Sequence, residues 1–387
     1  MIKSVMVIVK HLIYGGAEKY TLNLVNALAT KGVSVILVTG GGPLTKYISS
    51  KVRVFVMPIS RKYRTKKVTE KKIQEIATEY KPQLIHTQCR TALMCVQLAR
   101  NSLNIPVITS EHHMYEQQDY PFIVNELKDC ADKIITAGPY TSKELVKYGL
   151  EKDKITTILN GIDVRQIVPV TDEERQSTRG FFNLSKADKV VVCLSRIEPG
   201  KGIDKLATGF IKVAKKVPRA KLIITGDDQW NLVKPIIKKI IDDNNLQDRC
   251  FVFPGEYDIR KYHAVADVFC YPAIAKGMAV MEAMAAGLPV VGNQTVRKPL
   301  VVEDNVSGLM IEPTALFKID PDQIAKKLIY LLNRPELIKR MGKAARQRIE
   351  KRFNMDNVTK KTLKVYQQTI KPHKISGRET FLFLYDN

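Results

Sequence analysis

The stretch Asp267–Gly292, DVFCYPAIAKGMAVMEAMAAGLPVVG, decides the fold. Val268 to Tyr271 is a short apolar run ended by Pro272, as a buried strand ends. Residues 278–286 are strong helix formers, opened by Gly277 and stopped by Gly287 and Pro289. Val290 and Val291 begin a second buried run. A glycine-bearing loop therefore feeds a helix N-terminus at the carboxyl end of a strand. Free backbone N–H groups and the helix dipole can hold a phosphate there. Glu282, one turn in, is placed to accept hydrogen bonds from a ligand hydroxyl. The residues are equally compatible with a plain βαβ connection that leaves Glu282 on a solvated face.

Outward from this stretch the same alternation recurs. Strands are predicted over 5–9, 33–39, 52–57, 84–87, 107–110, 133–136 and 155–159, with helices over 17–30, 70–79, 92–102 and 142–148 between them. After a polar linker around Pro169, a second unit has strands over 190–194, 221–225 and 250–253 and helices over 203–216 and 232–244. From 324 onward the pattern is helical, over 324–332, 336–351 and 356–370. This is α/β organisation, with two doubly wound, Rossmann-like domains whose ligand sites lie at the carboxyl ends of their sheets and face across a cleft. The predicted division is 1–165, 166–354 and a tail over 372–387.

The 387 residues carry 62 Lys and Arg against 39 Asp and Glu, a net charge of +23. Such an excess suits an anionic partner. With aromatics at 7% and no nucleic-acid motif, an anionic membrane surface or anionic substrate is preferred to nucleic acid. The six cysteines have no metal-ligand spacing and read as thiols of a reducing compartment. Lys3, Lys10 and His11 interrupt the apolar N-terminus, and no run approaches a membrane span. A cytoplasmic protein is expected, with any membrane contact peripheral, at the inner face.

Four more groups bear on chemistry. Gly15-Gly16 lies between the first strand and its helix and permits close backbone approach to a ligand, or forms a simple tight turn. Arg196 and Lys201 lie in a glycine-rich loop between a strand and a helix, a fork and a point charge suited to neutralising a diphosphate leaving group. His112 ends a strand and would face the cleft, although a lone histidine is as often structural. The cluster Arg61, Lys62, Arg64, Lys66, Lys67, Lys71 and Lys72 is either a solvated surface or a contact for an anionic bilayer or polyanionic acceptor.

Taken in order, the motifs resemble glycosyltransferase family 4, retaining enzymes of the GT-B fold. They are Gly15-Gly16-Ala17-Glu18, His112, Asn160-Gly161-Ile162-Asp163, Ser195-Arg196 with Lys201-Gly202, Gly226-Asp227, Gly255, Ala266-Asp267-Val268, Glu282-Ala283-Met284-Ala285, Gly287 and Pro289-Val290-Val291. The resemblance implies that a nucleotide-sugar donor binds mainly to the second domain and the acceptor to the first. It makes Glu282 the acid that holds the ribose, and Arg196 and Lys201 the pair that stabilises the departing diphosphate. Gly15 and Gly16 approach the same phosphates, His112 lies near the reacting carbon, and backbone groups around Gly277, Met278 and Ala279 hold the sugar or phosphate. With fixed cations at the leaving group, no metal and no further cofactor is required. The last helix, within 355–371, is expected to cross back onto the first domain.

One departure matters. The family's first acid stands eight positions before the second, where this chain has Ile274 followed by Ala275. A loop shortened by two residues puts Lys276-Gly277 there instead, a lysine in place of the acid. The leading expectation is retaining, metal-independent, hexosyltransferase-type transfer from a uridine-linked donor to a hydroxyl of a glycan, lipid-linked or polyanionic cell-envelope acceptor. The rivals are a catalytically silent GT-B scaffold that binds nucleotide-sugar or membrane, and a sugar-nucleotide epimerase.

Overall fold

Apolar, β-branched runs pair as parallel strands into two sheets in the computed structural model, which describes residues 2–113, 115–274, 277–293, 301–311 and 319–370. Ala275, Lys276 and the tail 372–387 lie outside the described residues. The first sheet contains β1 (Ser4–Val9), β2 (Ser34–Thr39), β3 (Val52–Val56), β4 (Ile85–Thr87), β5 (Val107–Glu111), β6 (Lys133–Thr136) and β7 (Ile155–Thr157), in the order β3-β2-β1-β4-β5-β6-β7. The second contains β8 (Lys189–Leu194), β9 (Ala220–Thr225), β10 (Cys250–Phe253), β11 (Val268–Ile274), β12 (Val290–Asn293) and β13 (Gly308–Ile311), in the order β10-β9-β8-β11-β12-β13. Strand order reverses between β1 and β4 in one sheet and between β8 and β11 in the other. A doubly wound sheet opens a crevice at such a switch point. The loops singled out in the sequence follow β1, β8 and β11, so the topology itself brings them to the two crevices.

The last helix, Met355–Ile370, crosses back onto the first domain, as expected. Its entry is fixed at the Asn160-Gly161-Ile162-Asp163 turn, where the Ile162 N–H donates to the Phe353 carbonyl at 2.9 Å and the Met355 N–H to the Ile162 carbonyl at 2.9 Å. A Cβ on Gly161 would lie 2.7 Å from Val358 Cγ2, so only glycine lets the two segments meet. Further along the helix, Tyr366 is fully buried with its hydroxyl 2.6 Å from His86 Nδ1.

Two readings change. The polar stretch read as a linker leads into a helix, Asp172–Phe181, opened by a capping box between Thr171 and Glu174. Arg175 and Arg179 of this helix grip the Asp267 carboxylate at 2.7 and 2.9 Å, and Asp267 also accepts the Val190 N–H at 2.7 Å. The helix is polar because its task is to tie β11 to β8 through charge. The second concerns Arg346, which with Arg348, Lys351 and Arg352 reads from the sequence alone as part of a solvated helix face. Its guanidinium donates to the carbonyls of Val164, Ile167 and Ala285, clamping the interdomain linker to the end of the helix Met278–Ala285.

Burial depresses His112 to about 4 and His86 and His263 to about 3, so all three are neutral at pH 7. Each folded-state value lies below the unfolded value near 6.5, so their contribution is complete above pH 6.5 and is lost as pH falls towards the folded values. At pH 5 each should cost about 2 kcal/mol. Both ring nitrogens of His263 are buried and unpartnered among the described residues. His263→Leu should therefore lose less melting temperature between pH 7 and 5 than the wild type, as followed by circular dichroism.

Candidate active site

The carboxyl edges of the two sheets enclose a cavity of about 560 Å³. Gly15, Gly16 and Lys19 line it from the first domain; Arg196, Lys201, Gly277, Met278, Ala279 and Glu282 line it from the second. Every predicted donor-site residue thus meets in one space. Gly277 has φ 112°, a left-handed conformation that frees the first amides of the helix Met278–Ala285 towards the cavity. A Cβ on Gly16 would lie 3.6 Å from Met278 Cγ, which shows how closely the two glycine loops approach across the cleft.

The loop after β8 turns through Gly200 and Gly202, both at positive φ, before the helix Ile203–Lys216. Arg196 is well exposed, with its guanidinium 2.7 Å from the Glu198 carboxylate. Gly226 is packed so closely that a Cβ would collide with the Ser195 carbonyl oxygen. Beside it, the Asp227 carboxylate accepts the Gly255 N–H at 2.9 Å and holds the next loop against the cavity. Those contacts give the Gly226-Asp227 and Gly255 motifs a common purpose.

His112 is not among the lining residues. It stands at the end of β5 with its ring 4.9 Å from that of Tyr20 and its Nε2 3.1 Å from Gln88 Oε1. Gln88 in turn donates to His86, whose other contacts are Tyr366 and, at 2.8 Å, Ser110 Oγ. With the Gln88 carbonyl oxygen facing it, His112 Nε2 donates. The neutral ring then carries a bare Nδ1, beside the Asn160 side chain.

Sequence reasoning missed Lys19. Its ammonium lies 2.9 Å from Glu282 Oε1 and 5.3 Å from the centre of the Tyr257 ring. Tyr257 also stacks on Tyr47 at 3.7 Å, so four side chains, Lys19, Tyr47, Tyr257 and Glu282, join the domains beside the cavity. Lys19 stands one helical turn from Gly15, and that spacing was the available signal. Among the described residues, no group of three or more His, Cys, Asp or Glu is arranged to hold a metal ion, and no helix is long and apolar enough to cross a membrane.

Residues 14–166 match the model of Glycosyltransferase Family 4, and residues 174–348 that of Glycosyl transferases group 1. The chain belongs to the family 4 glycosyltransferases. An uncharacterized glycosyltransferase of Haemophilus influenzae is 26% identical over 346 residues, 86% of this chain and 91% of that one. The GDP-mannose-dependent monoacylated alpha-(1-6)-phosphatidylinositol monomannoside mannosyltransferase of Corynebacterium glutamicum is 28% identical over 54% of this chain and 55% of its own length. Among solved structures, a glycosyltransferase from Rickettsia africae superposes with a TM-score of 0.82 at 20% identity, covering 96% of this chain and 99% of that one. HepE of Anabaena, in complex with UDP-glucose, gives 0.80 at 17% identity over 94% and 99%. Both confirm the GT-B fold of this family 4 chain.

Trp230, the sole tryptophan, is 59% exposed in the loop whose Asp227 and Gln229 line the cavity. A nucleoside diphosphate entering the cavity should change its emission saturably, whereas inorganic phosphate at the same concentration should not; a fluorescence titration checks this.

Proposed function

We propose that this protein transfers a sugar, with retention, from a uridine diphosphate sugar to a hydroxyl of a glycan or lipid-linked acceptor. One observation carries the reading: cations, helix-start amides and a buried carboxylate from two facing domains line a single cavity. The amides after Gly277 receive the diphosphate, Arg196 and Lys201 neutralise the charge that develops as the sugar–phosphate bond breaks, and Glu282 accepts the ribose hydroxyls. Fixed cations serve here without a metal ion. His112, held neutral by burial and set outside the cavity lining, supports the end of β5 through Gln88 rather than touching the donor. HepE has been solved with UDP-glucose, and the Corynebacterium relative is named for GDP-mannose, so the donor base is the first point to test.

The basic cluster supports an anionic acceptor or bilayer surface. The helix Tyr63–Tyr80 begins seven residues before the predicted start and carries exposed Arg64, Val68, Lys71 and Lys72 on the side of its N-terminus. Arg61 is tied to Glu126 at 3.2 Å, and Phe122, one turn from Glu126, is exposed beside it. Cations around exposed apolar side chains suit peripheral contact with anionic lipid. The scaffold alternative rests on the missing first acid, whose place is taken by Ile274 at the end of β11 or, with a shortened loop, by Lys276, which lies outside the described residues.

Arg196→Ala and Lys201→Ala should each lower kcat about 100-fold. As changes to a loop at the cavity mouth, they should shift stability by no more than about 0.5 kcal/mol. Labelled UDP- and GDP-sugars incubated with envelope extract supply the assay. Donor binding without transfer or hydrolysis would select the scaffold reading, and conversion of the donor without an acceptor would select an epimerase.

A further inference from the structure

The residue that connects the two halves of the cavity has no role in the scheme above. Lys19 lies on the first turns of the helix Gly16–Thr30, and Glu282 lies 263 positions away on the helix Met278–Ala285. Their charged atoms are 2.9 Å apart, with the side chains only 16% and 8% exposed. A pair this secluded is screened little by salt. Separating it leaves a carboxylate that is buried and uncompensated.

Location makes the pair more than a structural tie. Met278, at the helix start, and Glu282 are four residues apart, about one turn. A diphosphate received at those amides would therefore sit beside the Glu282 carboxylate, with like charges sharing one low-dielectric cavity. Such repulsion opposes the site's own ligand unless a cation intervenes. Lys19 is placed to be that cation, and it comes from the opposite domain.

We propose that Lys19 is a donor-positioning residue: by neutralising Glu282 across the cleft, it lets one cavity hold a diphosphate and present a carboxylate to the ribose at the same time. This rests on the donor-site reading above. Only Oε1 of Glu282 is engaged by Lys19, which leaves the second oxygen to accept a hydroxyl. Because the neutralising charge belongs to the first domain, anion affinity depends on the two domains being closed. The Tyr257 ring beneath the ammonium and the Tyr47–Tyr257 stack keep Lys19 in register with the second domain.

Calorimetric titration of the full chain with UDP, GDP, uridine and guanosine tests this. Lys19→Met should weaken binding of the preferred nucleoside diphosphate about tenfold or more, and binding of the matching uncharged nucleoside less than about threefold. Lys19→Arg should stay within about threefold of the wild type for both. The double variant Lys19→Met with Glu282→Gln should bind the diphosphate no more weakly than Glu282→Gln alone, because the charge that needed compensation is gone. A Lys19→Met protein that binds the diphosphate like the wild type, that loses nucleoside and diphosphate equally, or whose loss adds to that of Glu282→Gln overturns the proposal. A wild type that binds neither diphosphate overturns the donor-site reading, and this role with it. Binding by the wild type and an indifferent Lys19→Met variant would remove the role of Lys19 alone.

Discussion

Parallel strands end with their chemistry at one edge, and the structure depends on what that edge leaves unpaired. At the start of the helix Met278–Ala285, the first amides have no partner within the helix. Their summed dipole makes the spot favourable for an anion. Everything around it serves either to aim those amides or to balance their ligand. Gly277 turns the chain into them. Asp267, held by two arginines, fixes the strand that delivers them, and Arg346 caps the carbonyl end of the same helix. A short helix is thus secured by charge at the strand before it and at its far end, while its start stays open.

The cavity inherits a difficulty from this arrangement. Bringing cations together to meet a diphosphate requires anions to steady them, as Glu198 does for Arg196 and Glu282 for Lys19. Those carboxylates must not repel the ligand they help to seat. The structure resolves this by pairing each acid with a cation, Glu198 with Arg196 of its own loop and Glu282 with Lys19 of the opposite domain. The net charge of +23 is therefore not a uniform coating. The balanced pairs within the site add nothing to it, and part of it is exposed along the start of the helix Tyr63–Tyr80.

Much of this was legible from residues alone. Apolar runs separated by helical spacing located twelve of the thirteen described strands, because a parallel sheet buried on both faces writes itself as β-branched blocks. Missed was β13, Gly308–Ile311, a run of four beginning with glycine. The helix Asp172–Phe181 was hidden by its own polarity, although Thr171 and Glu174 spell a capping box. Eight of the nine site residues read from the sequence line the cavity, since a glycine loop between strand and helix has one place to go in a doubly wound sheet. His112 is set apart from that lining by side-chain contacts with Tyr20 and Gln88 that no spacing encodes. Lys19 went unread for a related reason, because its partner is 263 positions away.

The returning helix has a consequence for how the chain is made. Tyr20, His86 and Ser110 belong to the first domain, yet the face they share is completed by Thr362 and Tyr366 near the end of the described chain. On the ribosome, the first seven strands emerge long before that cover exists. The nascent first domain must wait, with a polar and aromatic groove open, while the whole second domain is synthesised and folds. The returning helix then closes the groove, so the half that is translated first is completed by a segment made after the second domain.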